Sequence, residues 1–126
     1  MNFDGFSLDP RINAAVKLLG FSTPTPIQEQ AIPAVLDGRD VLGTAQTGTG
    51  KTAAFVLPIL QRLTKGPRGQ VRVLIVAPTR ELAEQIHQVN VDLGRKMRVR
   101  SVAVYGGVSK NGQVDALRRG AEIPAL

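Results

Sequence analysis

The chain has 126 residues, 43% of them hydrophobic and 21% charged, which is the balance of an ordinary globular protein long enough to bury a core. It has no cysteine, which excludes disulfides and thiolate metal sites and fits a reducing cytoplasm. No apolar run approaches the roughly 20 residues of a membrane span, and the first residues lack the basic end and apolar stretch of a secretory signal.

The net charge of +6 is unevenly placed: residues 1–50 carry three basic and five acidic side chains, residues 51–126 thirteen and five. Arg95, Lys96, Arg98 and Arg100 cluster, and Arg118 and Arg119 follow. Such a surface attracts polyanions through counterion release, but charge alone reads equally well as a solvated face. One tyrosine and four phenylalanines leave little for a base-stacking platform.

In chain order, the first helix opens at Asp9 or Pro10. It carries Ile12, Ala15, Val16 and Leu19 at the spacing of a buried stripe and ends at Gly20. A residue before proline avoids the α region, so the second helix starts no earlier than Pro26, with Thr25 as N-cap. It runs towards Leu36, with a kink or restart at Pro33. Asp37 and Gly38 turn the chain into a short strand over residues 40–43.

A glycine-rich loop over residues 45–52 leads into a helix reaching about Leu63, and residues 65–69 form a surface loop. Residues 71–77, apolar and rich in β-branched side chains, are predicted as a parallel strand covered on both faces. Thr79 starts a helix with Leu82, Ile86, Val89 and Leu93 on one face. Residues 99–105 form the next strand, Gly106 and Gly107 a turn, and residues 109–119 a helix. This alternation predicts a doubly wound α/β fold with a parallel sheet. His87, the one histidine, is expected on the surface rather than as a ligand or base.

The loop Ala45, Gln46, Thr47, Gly48, Thr49, Gly50, Lys51, Thr52 lies between a predicted strand and a predicted helix, the context a phosphate-binding loop requires. Gly48 and Gly50 let successive N–H groups curl around anionic oxygens, and the helix behind adds its free donors and dipole. Lys51 is placed to reach the β- and γ-phosphates of ATP, and the Thr52 hydroxyl to ligate Mg2+. A plain glycine turn leaves the lysine–threonine pair without a purpose. The general pattern wants glycine where this chain has Ala45.

That alanine form resembles the DEAD-box ATP-dependent RNA helicases, and the upstream run Gly20, Phe21, Ser22, Thr23, Pro24, Thr25, Pro26, Ile27, Gln28 resembles their Q motif. Phe3 stands at the family's offset for an isolated upstream aromatic. An amide can donate to adenine N7 and accept from its 6-amino group together. The resemblance gives Gln28 that role, with Phe21 and Thr23 lining the adenine site. Pro78, Thr79 and Arg80 open a segment similar to motif Ia, and Gly106 and Gly107 match the family's glycine doublet, with Gln113 at the family's spacing. The resemblance implies RNA contact at these residues, through helix N–H groups and a guanidinium at the first and close backbone approach at the second.

The resemblance runs from Phe3 to Ile123. It implies that residues 1–126 are a partial first RecA-like domain, without the acidic motif that completes the magnesium and water site and without the second RecA-like domain. The expected function is RNA unwinding or remodelling driven by ATP in a longer cytoplasmic protein. Lys51 and Thr52 are its contribution to catalysis, and the 126-residue chain is expected to be inactive alone. Expected partners are ATP or ADP and single-stranded or duplex RNA, with no membrane. Self-association through an unpaired sheet edge beside residues 40–43 is also expected. Two alternatives remain: a DNA-acting helicase of the same superfamily, against which the Q motif argues, and a non-catalytic fragment that regulates or binds an intact helicase.

Overall fold

The computed structural model describes residues 2–46, 50–106 and 110–125. The chain forms two compact units, residues 1–65 and 66–126.

In the first unit, a 3-10 turn at Phe3–Phe6 is capped by the Asn2 side chain, which accepts from the Asp4 N–H, and it buries both phenylalanines edge to face at 5.9 Å. Helix α1, Pro10–Leu18, starts as expected: the Asp9 carboxylate accepts from the Arg11 N–H at 2.9 Å, and Pro10 takes the first position, where its missing donor costs nothing. Ile12, Ala15 and Val16 form its buried stripe, and Gly20, at φ +83°, ends it. The Asp9 N–H donates to Gln61 Oε1 at 2.6 Å, which ties this helix start to the far end of α3, Lys51–Arg62.

Helix α2, Pro26–Leu36, runs continuously through Pro33, which removes one donor but does not restart the segment as a separate helix. Its Ala31 and Ile32 are buried, as are Ala53, Val56, Leu57 and Leu60 of α3, and α2 and α3 pack together as the main core of the unit. The strand expected over residues 40–43 is not formed. A strand exists only as part of a ladder, and no described residue bonds to this stretch; Leu42 is 96% exposed.

In the second unit, α4, Arg80–Gly94, is capped by Thr79 Oγ1, which accepts from the Leu82 N–H at 3.2 Å. The buried stripe is Ala83, Ile86, Asn90 and Leu93, shifted by one residue from the expected Leu82 and Val89, which are only half-buried. Two short parallel strands, β1 at Ser101–Ala103 and β2 at Ile123–Ala125, pair in the register Ser101 to Ile123, Val102 to Pro124 and Ala103 to Ala125. Helix α5 spans Lys110–Arg118.

Strand β2 was not foreseen, because a proline inside a three-residue run argues against a central strand. Pro124 donates nothing, yet its carbonyl accepts from the Ile75 N–H at 3.1 Å. The Glu122 carbonyl likewise accepts from Arg72 and Val73, so residues 72–75 lie along the other side of β2, with a single parallel bridge at Ile75. The expected cover on both faces of residues 71–77 is absent: alternate side chains Leu74 and Val76 are 58% and 74% exposed.

The β2 end is fixed by Glu122, whose buried carboxylate accepts from the Arg100 N–H at 2.9 Å and the Gly69 N–H at 3.5 Å. Gly120 sits at φ +95°, and a Cβ there would meet the Gly69 backbone at 2.6 Å, so only glycine fits.

Candidate functional site

Helix α3 begins at Gly50, its N-cap, at φ +82° and with no side chain satisfying the first turn. Among the described residues no side chain takes the donors of that turn, which suits them to an anion, with the dipole's positive end behind them. Lys51 at the first helical position is exposed, and Thr52 at the second is half-buried. The residues present fit phosphate: an uncapped helix start, a cation beside it and a hydroxyl one residue on. Among the described residues no cluster of three acidic, histidine or cysteine side chains could hold a metal. A magnesium ion here would take the Thr52 hydroxyl from these residues and rely on phosphate oxygens and water for the rest.

Gln28 is the buried neighbour of this helix start. It is 3% exposed, and both ends of its amide are engaged within the chain. Its Oε1 accepts from the Thr25 N–H at 3.0 Å, as the third residue of α2 reaching back to the N-cap. Its Nε2 donates to the Gly50 carbonyl at 3.1 Å. The positive φ of residue 50 favours glycine, and a Cβ there would also push the Gln28 amide out of its bond to the Gly50 carbonyl. An amide has two N–H groups and two oxygen lone pairs. One of each is used, and one of each remains.

Phe21 is exposed and lies 6.2 Å from the buried Phe3 ring, tilted by 31°. The two border a cleft of about 330 Å³ together with Asn13, Lys17 and Ser22. Gln28 does not line that cleft, so the structure unites Phe21 with Phe3 and Gln28 with Gly50, but not the two pairs. Thr23 is exposed, Ala45 half-buried and Gln46 exposed; Thr47, Gly48 and Thr49 lie outside the described residues.

In the second unit, Pro78, Thr79 and Arg80 are exposed at the start of α4. The Arg80 guanidinium lies over the Tyr105 ring, 5.6 Å from its centroid. The Tyr105 hydroxyl donates to Glu84 Oε1 at 2.6 Å, a bond that raises the phenol's pKa above its ordinary value. Gln113 Nε2 donates to the Tyr105 carbonyl at 2.9 Å. Tyr105 directly precedes the exposed Gly106, so it joins Arg80 to the glycine doublet, whose second member, Gly107, lies outside the described residues.

Sequence reasoning missed Tyr105 and Glu84. The signals were present: Tyr105 is the one tyrosine and abuts Gly106, and Glu84 stands four residues beyond Arg80 on one helix face. His87 is also not the plain surface residue expected. It is half-buried, with Nδ1 3.0 Å from Ser101 Oγ. That hydroxyl donates to the Ile123 carbonyl and accepts from Asn90 Nδ2, which pins α4 to both strands.

The model of the DEAD/DEAH box helicase family matches residues 25–125. The chain belongs to this family. The match carries two residues past Ile123, where the motif resemblance stopped. The chain is 44% identical, over 97% of its length, to the DEAD-box ATP-dependent RNA helicase RhpA of Helicobacter pylori, and covers 24% of that protein. It is 45% identical, over 96% of its length, to the ATP-dependent RNA helicase CshA of Listeria monocytogenes, and covers 23% of it. Among solved structures it resembles the RNA helicase Prp28 from Chaetomium thermophilum bound to ADP, with a TM-score of 0.90, 40% identity, and coverage of 98% of this chain and 31% of that one. These neighbours give the family fold, α/β with a parallel sheet, of which the short parallel ladder in the second unit is a part. The chain spans about a quarter of the length of these curated relatives.

Proposed function

We propose that this family member is the nucleotide-binding part of an ATP-dependent RNA helicase, working in a protein as long as its relatives. The observation that carries the reading is the uncapped α3 start with Lys51 and Thr52 at its first two positions and Gln28 locked against Gly50. Phosphate oxygens take the free N–H groups and Lys51, and Thr52 offers one oxygen to Mg2+. Adenine takes the remaining N–H and lone pair of Gln28, with Phe21 and Thr23 alongside. ATP as the nucleotide is supported by the relatives' names and by the ADP held by the Prp28 neighbour.

In the same reading, Pro78, Thr79, Arg80, Gly106 and Gly107 meet RNA phosphates, single-stranded or duplex. These residues hold phosphate, magnesium and RNA but supply no group to position or activate the attacking water, so the 126-residue chain alone hydrolyses no ATP. A cytoplasmic location goes with the reading, supported by the lack of cysteine. The experiment is strand displacement by the intact helicase that carries this segment. The proposal expects ATP-dependent opening of RNA duplexes; opening of DNA duplexes with no response to RNA would replace it with the DNA-acting alternative.

A second reading has its own observation. Leu74 and Val76 form an exposed apolar face on a segment whose neighbour β2 is paired on one side only by it. Exposed apolar strand faces invite another chain, and self-association of this chain is proposed on that ground.

A further inference from the structure

We propose that Tyr105 is a positioning residue that keeps the Arg80 guanidinium free of its own helix's carboxylate and available to an RNA phosphate; this rests on the RNA reading of Arg80 above. Arg80 occupies the first position of α4, where the helix dipole is positive and a cation is disfavoured. Nothing in the stability of α4 calls for arginine there. Glu84 lies one helical turn on, at the spacing where an arginine and a glutamate are neighbours and pair. They do not pair. Among the described residues, Arg80 makes no ion pair; its recorded contact is the Tyr105 ring face at 5.6 Å. Glu84 Oε1 is taken instead by the Tyr105 hydroxyl at 2.6 Å.

One tyrosine therefore does two things. Its ring holds the guanidinium by the attraction of a cation to a π face, which leaves the N–H donors at the cation's edge unspent. Its hydroxyl engages the carboxylate that would neutralise that cation. The tyrosine is itself held from the other side, where Gln113 Nε2 donates to its carbonyl at 2.9 Å, next to Gly106. A guanidinium paired with Glu84 would contribute little net charge to phosphate binding and would release correspondingly fewer counterions.

The test is fluorescence anisotropy of the 126-residue chain on a fluorescein-labelled decauridylate, over a series of salt concentrations. Arg80→Ala should weaken binding and flatten the salt slope by about 0.7, the contribution of one single-strand phosphate. Tyr105→Phe keeps the ring and removes the hydroxyl, so Glu84 turns to Arg80; binding should weaken by about twofold, with part of the same flattening. Adding Glu84→Gln to Tyr105→Phe should restore both affinity and slope, while Glu84→Gln alone should not weaken binding. A role of Tyr105 confined to folding would not be rescued by Glu84→Gln. If Arg80→Ala flattens the slope but Tyr105→Phe matches the parent, or if Glu84→Gln fails to rescue it, the positioning role is overturned and the RNA reading stands. If Arg80→Ala changes nothing, both fall.

Discussion

Gln28 Nε2 donates to the carbonyl of Gly50 at 3.1 Å, joining the first turn of α2 to the residue that caps α3. The side chain proposed to read adenine therefore also braces the first residue of the α3 start. In that proposal, base recognition and the geometry of the helix start share one amide.

Gln28→Ala should therefore act twice. Two lost hydrogen bonds to adenine, at roughly 0.5–1.5 kcal/mol each, correspond to about a five- to hundredfold weaker affinity for ADP, beyond the smaller loss that the missing brace brings to ADP and GDP alike. The Gly50 carbonyl also loses its donor, so thermal stability should fall. Gln28→Glu isolates the amide nitrogen: it can still accept from the Thr25 N–H, but it loses the donor shared by Gly50 and adenine and places a carboxylate oxygen against the Gly50 carbonyl. Calorimetry and thermal unfolding of both variants check this. An unchanged melting temperature in both would show that the brace carries no weight.

Gly50→Ala places a Cβ at φ +82° and against Gln28 Nε2. The left-handed conformation alone costs about 1–2 kcal/mol for a non-glycine residue. The variant should be destabilised by at least that amount in urea unfolding, and its phosphate affinity should drop because the helix start moves. Gly69→Ala, also at positive φ but with no atom near its Cβ, should carry the backbone cost without the collision.

The helical elements were legible because their signals are local. Asp9 and Pro10, Thr25 and Pro26, and Thr79 each mark a helix start in the sequence, and each stands there in the structure. The strands were not, because a strand is defined by its partner. Residues 40–43 have the composition of a strand and no described partner, while Ile123–Ala125 contains a proline and is nonetheless the central strand of the ladder. In the site, the motif residues were readable as types and spacings. What Gln28 and Arg80 touch was not, since Gly50 and Tyr105 lie 22 and 25 positions away and meet them only on folding.

Acid should weaken the start of α1. The Arg11 guanidinium, hydrogen-bonded to the Asp9 carboxylate, holds its pKa below the ordinary value, with the Arg11 N–H adding to the effect. A depressed folded-state pKa gives a contribution that is fully present at neutral pH and is lost as the pH falls through that lowered value. Asp9→Ala should cost about 1 kcal/mol at neutral pH as a lost cap, and the difference from the parent should shrink in acid. Asp9→Asn should keep most of the cap and lose the pH dependence, as read by urea unfolding at several pH values.

The exposed Leu74 and Val76 face should drive association. Light scattering over a concentration series is expected to show a mass rising above 13.5 kDa. Leu74→Lys with Val76→Lys should hold the chain monomeric. A monomer at high micromolar concentration in the unmutated chain would count against the proposal.

The most direct measurement is isothermal titration calorimetry of the unmutated chain with ADP and with GDP, each with magnesium, beside Lys51→Ala. The account expects ADP to bind more tightly than GDP, and Lys51→Ala to weaken both while preserving their ratio, because Lys51 reads phosphate and Gln28 reads the base. Equal affinity for ADP and GDP, or binding indifferent to Lys51→Ala, would contradict it.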